Sequence, residues 1–138
     1  MSLEKLRKEA ARWLSQARAD LRAAEVSRQA GCFEWACFQA QQCAEKILKA
    51  FWMHHGIDPW GHSVLKLMQD FPDPALRDSL LKPLQGHARL LDKLYIPTRY
   101  PNGLPDLTPS QVYGDTDAEQ AIQATTGILK DLEAALLP

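Results

Sequence analysis

The sequence predicts an all-α protein, an antiparallel up-and-down four-helix bundle with one additional short helix. Apolar residues recur every three or four positions along four long segments, which is the spacing of one helix face. No segment shows the alternating pattern of a half-buried strand. Most links between the segments are short, which favours antiparallel neighbours. The chain has 138 residues, the length of one domain, so we expect residues 1–138 to fold as one unit.

The first two predicted helices differ in how apolar they are. The first ends at Gly31, a residue type that often follows a helix, and its apolar face comprises Leu6, Ala10, Trp13, Leu14, Ala17, Leu21 and Ala24. The second begins near Phe33 and ends before Gly56, and we expect it at the centre of the bundle because few of its positions are polar. Its polar stripe is predicted either to face solvent or to line a polar groove, and comprises Gln41, Gln42, Glu45, Lys46 and Lys49.

The second half of the chain is predicted as a short helix within His62–Phe71, a longer helical run over Ala75–Tyr95 and a final helix. Pro83 lies inside the longer run and must kink or restart it, because proline lacks an amide hydrogen and clashes with the preceding turn. The final helix is predicted to begin with a capping box formed by Thr116 and Glu119.

The segment most suited to binding lies at the start of a predicted loop, residues 96–114. It reads Leu94-Tyr95-Ile96-Pro97-Thr98-Arg99-Tyr100-Pro101. Its two prolines stiffen the backbone, so Arg99 and the two tyrosines are presented from a restrained loop, where binding groups commonly lie. The planar Arg99 side chain either braces the loop against helix ends or binds a phosphate group through paired N–H donors.

Composition and motifs exclude several classes of protein. The formal net charge is −1, so no global field indicates a nucleic-acid or membrane partner. We expect a cytoplasmic protein without a membrane span, because the chain shows neither a signal peptide nor a long apolar stretch. Cys32, Cys37 and Cys43 lack C-x-x-C spacing, which argues against a disulfide framework and a zinc site. Phosphate-loop, dinucleotide and metalloprotease motifs are absent, so we expect neither a cofactor nor a metal.

The four histidines are not equivalent candidates for a site. His54 and His55 are adjacent, so on a helix they point about 100° apart, and we predict helix-end surface residues rather than metal ligands. His87 has no visible partner and is predicted to have a packing role. His62 precedes a predicted helix start, a natural place for anion binding, and is retained as a candidate binding residue.

The order of these segments resembles the HEPN family (higher eukaryotes and prokaryotes nucleotide-binding). Four features carry the resemblance: the second helix over residues 35–50, the tripeptide Gly61-His62-Ser63, the segment Leu94–Pro101, and the final Ala-rich amphipathic helix. Together they extend over roughly residues 4–137, which makes the whole chain one HEPN-like helical domain.

The resemblance implies a helical bundle that commonly forms homodimers and binds nucleotides or RNA. It also implies a minimal nucleotidyltransferase as partner, in a pair that acts as toxin and antitoxin. On this basis Arg99 is expected to hold a phosphate, Tyr95 or Tyr100 to contact a base, and Lys46 and Lys49 to supply positive potential.

The sequence departs from the toxic members of that family. These are metal-independent ribonucleases in which a His follows an Arg by four to six residues, whereas no His follows Arg99. RNA cleavage needs a base for the 2′-hydroxyl and an acid for the leaving group, and tyrosine, with a pKa of about 10, is a poor base at neutral pH. Arg99 remains the best candidate for a catalytic residue.

Three hypotheses follow from the sequence. The first is a nucleotide- or RNA-binding protein with little or no catalytic activity. The second is a ribonuclease toxin in which His62 or His87 comes to Arg99 from elsewhere in the fold or dimer. The third is a protein-interaction module that binds no nucleotide.

Overall fold

The structure is all-helical, as the sequence predicts. A computed structural model describes residues 1–136, in which no strand occurs. Its helices are α1 (Leu3–Gln29), α2 (Phe33–His54), α3 (Val64–Gln69), α4 (Pro74–Leu76), α5 (Gln85–Asp92), α6 (Pro109–Val112) and α7 (Asp115–Leu136). None of the helices in this part of the chain is long and apolar enough to cross a membrane.

The long helices α1 and α2 run antiparallel, as the contacts between them show. Lys46 of α2 binds Asp20 of α1, whereas near the other end of the pair Arg7 Nε donates to the His54 carbonyl at 3.1 Å. Residue numbers therefore fall along α1 as they rise along α2. The end of α1 is in turn tied to the start of α7 by the ion pair of Arg28 with Asp115.

The central position of α2 is confirmed by its burial. Ile47, Leu48 and Phe51 are fully buried, and the small residues between them allow neighbouring helices to approach closely. Removing a side chain such as Ile47 from water stabilises the fold by roughly 1.5–3 kcal/mol. The predicted apolar faces of α1 and α7 are likewise buried or half-buried in the same core.

Pro83 restarts its helix rather than bending it at one point. After α4 the chain widens into a π-helical turn, Arg77–Leu81, and then tightens into a 3₁₀ turn, Lys82–Leu84. A regular α-helix resumes only at Gln85. Both irregular turns lie at or next to Pro83. Proline has no amide hydrogen for the helical hydrogen bond, and its ring clashes with the carbonyl of the preceding helical turn.

The predicted capping box of the last helix is wrong. Helix α7 begins at Asp115, so Thr116 lies inside its first turn. Instead, the Gly114 amide, just before the helix, donates to Asp117 Oδ2 at 2.8 Å. The side chain of the third helical residue thus caps the start of α7. Glu119 binds Arg28.

The predicted loop over residues 96–114 contains more structure than expected. A 3₁₀ turn spans Pro101–Gly103, and α6 follows a few residues later. The side chains of Thr108 and Gln111 form a capping box at the start of α6. These elements are too short to produce a helical pattern in the sequence.

Two of the three cysteines are buried. Burial raises the pKa of Cys37 to about 12 and that of Cys43 to about 11, so both thiols remain protonated at neutral pH. Cys32, at the start of α2, is exposed.

Candidate functional site

The segment that carries Arg99 is a tight, well-anchored turn. The amides of Arg99 and Tyr100 donate to the Ile96 carbonyl at 3.1 and 3.3 Å. Pro97 occupies the second position of this turn, where its fixed φ of about −65° is favourable. Thr98 is 1% exposed, and its hydroxyl donates to the Leu94 carbonyl at 2.6 Å. The prediction of a restrained loop is confirmed.

The half-buried guanidinium of Arg99 lies among three aromatic rings. Its Cζ is 4.3 Å from the ring centre of Phe38, 4.7 Å from that of Tyr95 and 5.4 Å from that of Tyr100. Arg99 Nε donates to the Tyr95 carbonyl at 2.9 Å, which fixes the plane of the group. Within residues 1–136 no carboxylate lies within ion-pair distance of Arg99, and its two terminal nitrogens make no hydrogen bond.

His62 joins this group through its contact with Tyr95. Its ring stacks on the Tyr95 ring, with centres 4.9 Å apart and planes 17° apart. Its Nδ1 lies 3.3 Å from Oε1 of Glu45, whose side chain is 6% exposed, whereas the His62 side chain is 61% exposed. We call Phe38, His62, Tyr95, Arg99 and Tyr100 the Arg99 cluster.

The reason for which the sequence favoured His62 does not hold in the structure. The carboxylate of Asp92 occupies the start of α3, where it accepts from the amides of Val64 and Leu65 at 2.7 and 3.2 Å and from the Ser63 hydroxyl at 2.6 Å. These amides are therefore not available to an anion. The place of His62 in the cluster depends on Glu45 and Tyr95 instead.

The two candidate lysines lie apart from Arg99 and are paired. Lys49 Nζ contacts Glu45 Oε2 at 3.2 Å and lies 5.6 Å from the ring centre of Trp13. Lys46 Nζ contacts Asp20 Oδ2 at 2.5 Å. The structure thus brings together Tyr95, Tyr100, Arg99 and His62 of the predicted site, and it connects Lys49 to them only through Glu45.

The polar stripe of α2 is a buried network, so the solvent-facing interpretation is wrong. Gln41 is fully buried, and its Nε2 donates to the His62 carbonyl at 3.2 Å. Gln42 Nε2 donates to Gln41 Oε1 at 2.8 Å. Glu45 and Lys49 pair with each other, which compensates the burial of their charges. The alternative interpretation, a polar groove, is supported at Lys46, which lines a surface cavity.

The remaining histidines lie elsewhere. His54 and His55 are half-buried at the end of α2, and burial lowers the pKa of His54. His87 is exposed and packs against Gly127 of α7, where an added Cβ would lie 3.0 Å from its Nε2. In the described part of the chain no cluster of three or more His, Cys, Asp or Glu side chains could hold a metal ion.

Sequence reasoning missed Phe38 and Glu45 as parts of the site. The aromatic content of α2 favours packing for Phe38, and Glu45 belongs to the polar stripe. They are seven residues apart, so on a helix they lie on one face, with Gln41 between them. The seven-residue spacing of Phe38 and Glu45, considered together with Gly61-His62-Ser63, is the sequence signal that could have identified these two residues.

Comparison with known proteins agrees with this architecture. The family model of the HEPN domain matches residues 10–135, which is most of the chain. The chain belongs to the HEPN family. A Thermus thermophilus protein of known crystal structure is 41% identical to this HEPN protein, with a TM-score of 0.85 over 93% of this chain and 98% of that one.

Two further solved structures support the assignment. An archaeal HEPN homologue is 33% identical, with a TM-score of 0.75 over 93% of this HEPN chain and 98% of its own. An HEPN domain protein from Thermotoga maritima is 29% identical, with a TM-score of 0.66 over 91% and 97% of the two chains. No curated protein matches the sequence significantly.

Proposed function

We propose that this HEPN protein binds nucleotides or single-stranded RNA through the Arg99 cluster. The observation that carries the proposal is the state of the Arg99 guanidinium. Rings and one backbone carbonyl fix its position, but no carboxylate in the described residues neutralises its charge. A fixed, planar cation with two unused nitrogens is suited to paired hydrogen bonds with a phosphate.

The aromatic residues supply a second element of nucleotide recognition. Tyr100 is 51% exposed beside the guanidinium, so one face of its ring is open to a base. Stacking of a base on an aromatic side chain stabilises binding by about 1–3 kcal/mol and depends little on sequence. Phosphate on Arg99 and base on Tyr100 would together hold one nucleotide at the surface.

A calorimetric titration of the purified protein with AMP, ATP and a short unstructured RNA tests the proposal. We expect saturable binding of at least one of these ligands, weakening as salt rises because phosphate contacts are screened. Absence of saturable binding to all three would contradict the proposal. It would leave the third hypothesis, a protein-interaction module in which the Tyr-Arg-Tyr turn contacts a partner.

A ribonuclease activity is the second candidate function, and one observation favours it. His62 and Arg99 both contact the Tyr95 ring, so a proton carrier and a candidate phosphate-binding group belong to one cluster. His87, the other histidine considered for this role, packs against α7 instead. In such a reaction His62 would take the proton of the 2′-hydroxyl, and the 2′-oxygen would bond to phosphorus as the bond to the 5′-oxygen breaks. Solvent water would protonate the departing 5′-oxygen, while Arg99 stabilises charge on the phosphate.

Cleavage of an end-labelled RNA tests this second candidate. Wild-type protein, Arg99→Ala and His62→Ala would be purified in parallel, with His87→Ala as the matched histidine control. Cleavage lost in the first two variants and kept in the third would support the ribonuclease. Equal cleavage by all four preparations would indicate a contaminating nuclease.

The family also supports a proposal about partners and setting. We propose that the protein forms homodimers in the cytoplasm and pairs with a minimal nucleotidyltransferase as toxin and antitoxin. Co-expression with the neighbouring gene product tests this: the pair should co-purify, and cell growth should differ with and without the partner. A protein that is monomeric by light scattering and binds no neighbouring product would contradict it.

A further inference from the structure

We infer that His62 is a specificity-determining residue of the Arg99 cluster, and that Glu45 is the residue that positions it. In this role His62 Nε2 accepts a hydrogen bond from a ribose hydroxyl, so the site favours ribonucleotides over deoxyribonucleotides. The inference rests on the proposed nucleotide binding and adds the feature of the ligand that the site distinguishes.

The tautomer of His62 follows from its buried neighbour. Glu45 Oε1 lies 3.3 Å from His62 Nδ1, and an ionised carboxylate can only accept a hydrogen bond. The other oxygen, Oε2, accepts from Lys49 Nζ at 3.2 Å, which holds a negative charge in this buried position. The proton of the neutral imidazole therefore belongs on Nδ1, and Nε2 carries a lone pair.

Two contacts also fix the direction in which the His62 ring faces. Glu45 holds the Nδ1 edge, and stacking on Tyr95 holds the plane of the ring. Because Nδ1 faces a buried carboxylate while 61% of the His62 side chain is exposed, the Nε2 side is the side left to solvent. A rigid acceptor is thus presented at the surface without a partner in the described residues.

His62 and Arg99 lie close enough together to contact a single nucleotide. The His62 ring centre lies 4.9 Å from the centre of the Tyr95 ring, and Arg99 Cζ lies 4.7 Å from the same point. The two groups are therefore separated by no more than these two distances taken together. A phosphate on Arg99 leaves the adjoining ribose near His62. The 2′-hydroxyl is the donor that DNA lacks, and its loss would leave Nε2 unpaired.

Competition binding with two matched strands tests the inference. Oligoadenylate and oligodeoxyadenylate of equal length differ only in the 2′-hydroxyl, and each would displace a fluorescent RNA from the protein. We expect wild-type protein to bind the RNA strand about threefold to tenfold more tightly, the range of one neutral hydrogen bond. His62→Ala and Glu45→Gln should lose this preference, and His87→Ala should keep it.

The possible outcomes separate this inference from the proposed function. Wild-type protein that binds both strands equally, or a His62→Ala variant that keeps the preference, would overturn the inference and leave nucleotide binding intact. Wild-type protein that binds neither strand would overturn the inference, and it would overturn the proposed function as well if AMP and ATP also fail to bind.

If Glu45→Gln does not fold, the role of Glu45 can be tested in the wild-type protein by measuring the tautomer of His62. In protein with ¹⁵N-labelled histidine at alkaline pH, where imidazole rings are neutral, proton–nitrogen correlation spectra distinguish a protonated from an unprotonated ring nitrogen. The signal absent from His62→Ala identifies the residue. We expect Nδ1 protonated and Nε2 unprotonated, and the opposite assignment would overturn the inference.

Discussion

Arg28 and Arg99 are both half-buried, yet the fold uses their charges in opposite ways. Arg28 Nε binds Asp115 Oδ1 at 2.8 Å, and its Nη2 lies 3.3 Å from Glu119 Oε2. Arg99 lies among aromatic rings and a backbone carbonyl. One guanidinium is occupied in joining α1 to α7, and the other is left available to a ligand. Partners, rather than burial, distinguish Arg28 from Arg99, for which we propose a binding role.

The buried pair of Lys49 and Glu45 extends the comparison to stability. Their side chains are 11% and 6% exposed, whereas those of Arg28 and Asp115 are 35% and 56% exposed. Desolvation makes an unpaired charge at the buried site costly, while solvent screens the surface pair. The same kind of contact should therefore differ greatly in its effect on folding.

The largest expected effect is on stability, for Glu45→Ala. It leaves the Lys49 ammonium buried without its carboxylate, and we expect the free energy of unfolding to fall by about 3–5 kcal/mol. Asp115→Ala, which breaks the exposed pair, should change it far less. Urea unfolding followed by circular dichroism measures both. Equal losses would show that burial does not distinguish the two pairs.

Next in size is the effect of Arg99→Lys on ligand binding. The substitution keeps a positive charge but loses the planar donor group, so we expect affinity for RNA to fall about tenfold, or about 1.4 kcal/mol. Unfolding measurements on the same samples should show little change. Full affinity in the lysine variant would mean that Arg99 acts only as a point charge.

A smaller effect is expected for Tyr100→Ala, which removes the exposed ring beside Arg99. We expect RNA affinity to fall about fivefold, near the lower limit for loss of one stacked base. Tyr100→Phe keeps the ring and serves as the control. If the phenylalanine variant loses as much as the alanine variant, the hydroxyl rather than the ring contacts the ligand.

The smallest effect concerns pH and the Arg28 pair. The hydrogen bond from Arg28 holds the pKa of Asp115 below its usual value. A carboxyl with a lowered pKa stabilises the fold above its unfolded-state pKa of about 3.9, and this contribution is lost as pH falls through the folded-state pKa. Thermal unfolding across that acidic range should show a slightly shallower pH dependence in Asp115→Asn. An unchanged profile would show that the pair is fully screened.

The long helices could be predicted from the sequence because burial of one helix face requires apolar residues at every third or fourth position. The faces of α1, α2 and α7 follow from that period alone. A few local hydrogen bonds decide where α6 and α7 begin. There the apolar pattern of the sequence missed α6 and placed the cap of α7 at the wrong residue.

The candidate site was only partly predictable, for a different physical reason. Arg99, Tyr95 and Tyr100 share one turn, so their sequence spacing already brought them together. His62 and Glu45 meet through a contact between residues 17 positions apart, which only the packing of the loop against α2 creates. The sequence left open whether the polar stripe of α2 faces solvent or lines a groove, because the pattern of a single helix does not show which polar residues find buried partners.

One experiment compares the two arginines directly: binding of a short unstructured RNA to Arg99→Ala and Arg28→Ala, measured by fluorescence anisotropy beside the wild-type protein. Both variants lose one positive charge, so their net charge is the same. We expect affinity to fall at least tenfold in Arg99→Ala, because charged hydrogen bonds are lost, and to stay within about twofold in Arg28→Ala. Equal losses in the two variants, or unchanged binding in Arg99→Ala, would contradict the assignment of Arg99 as the phosphate-binding residue.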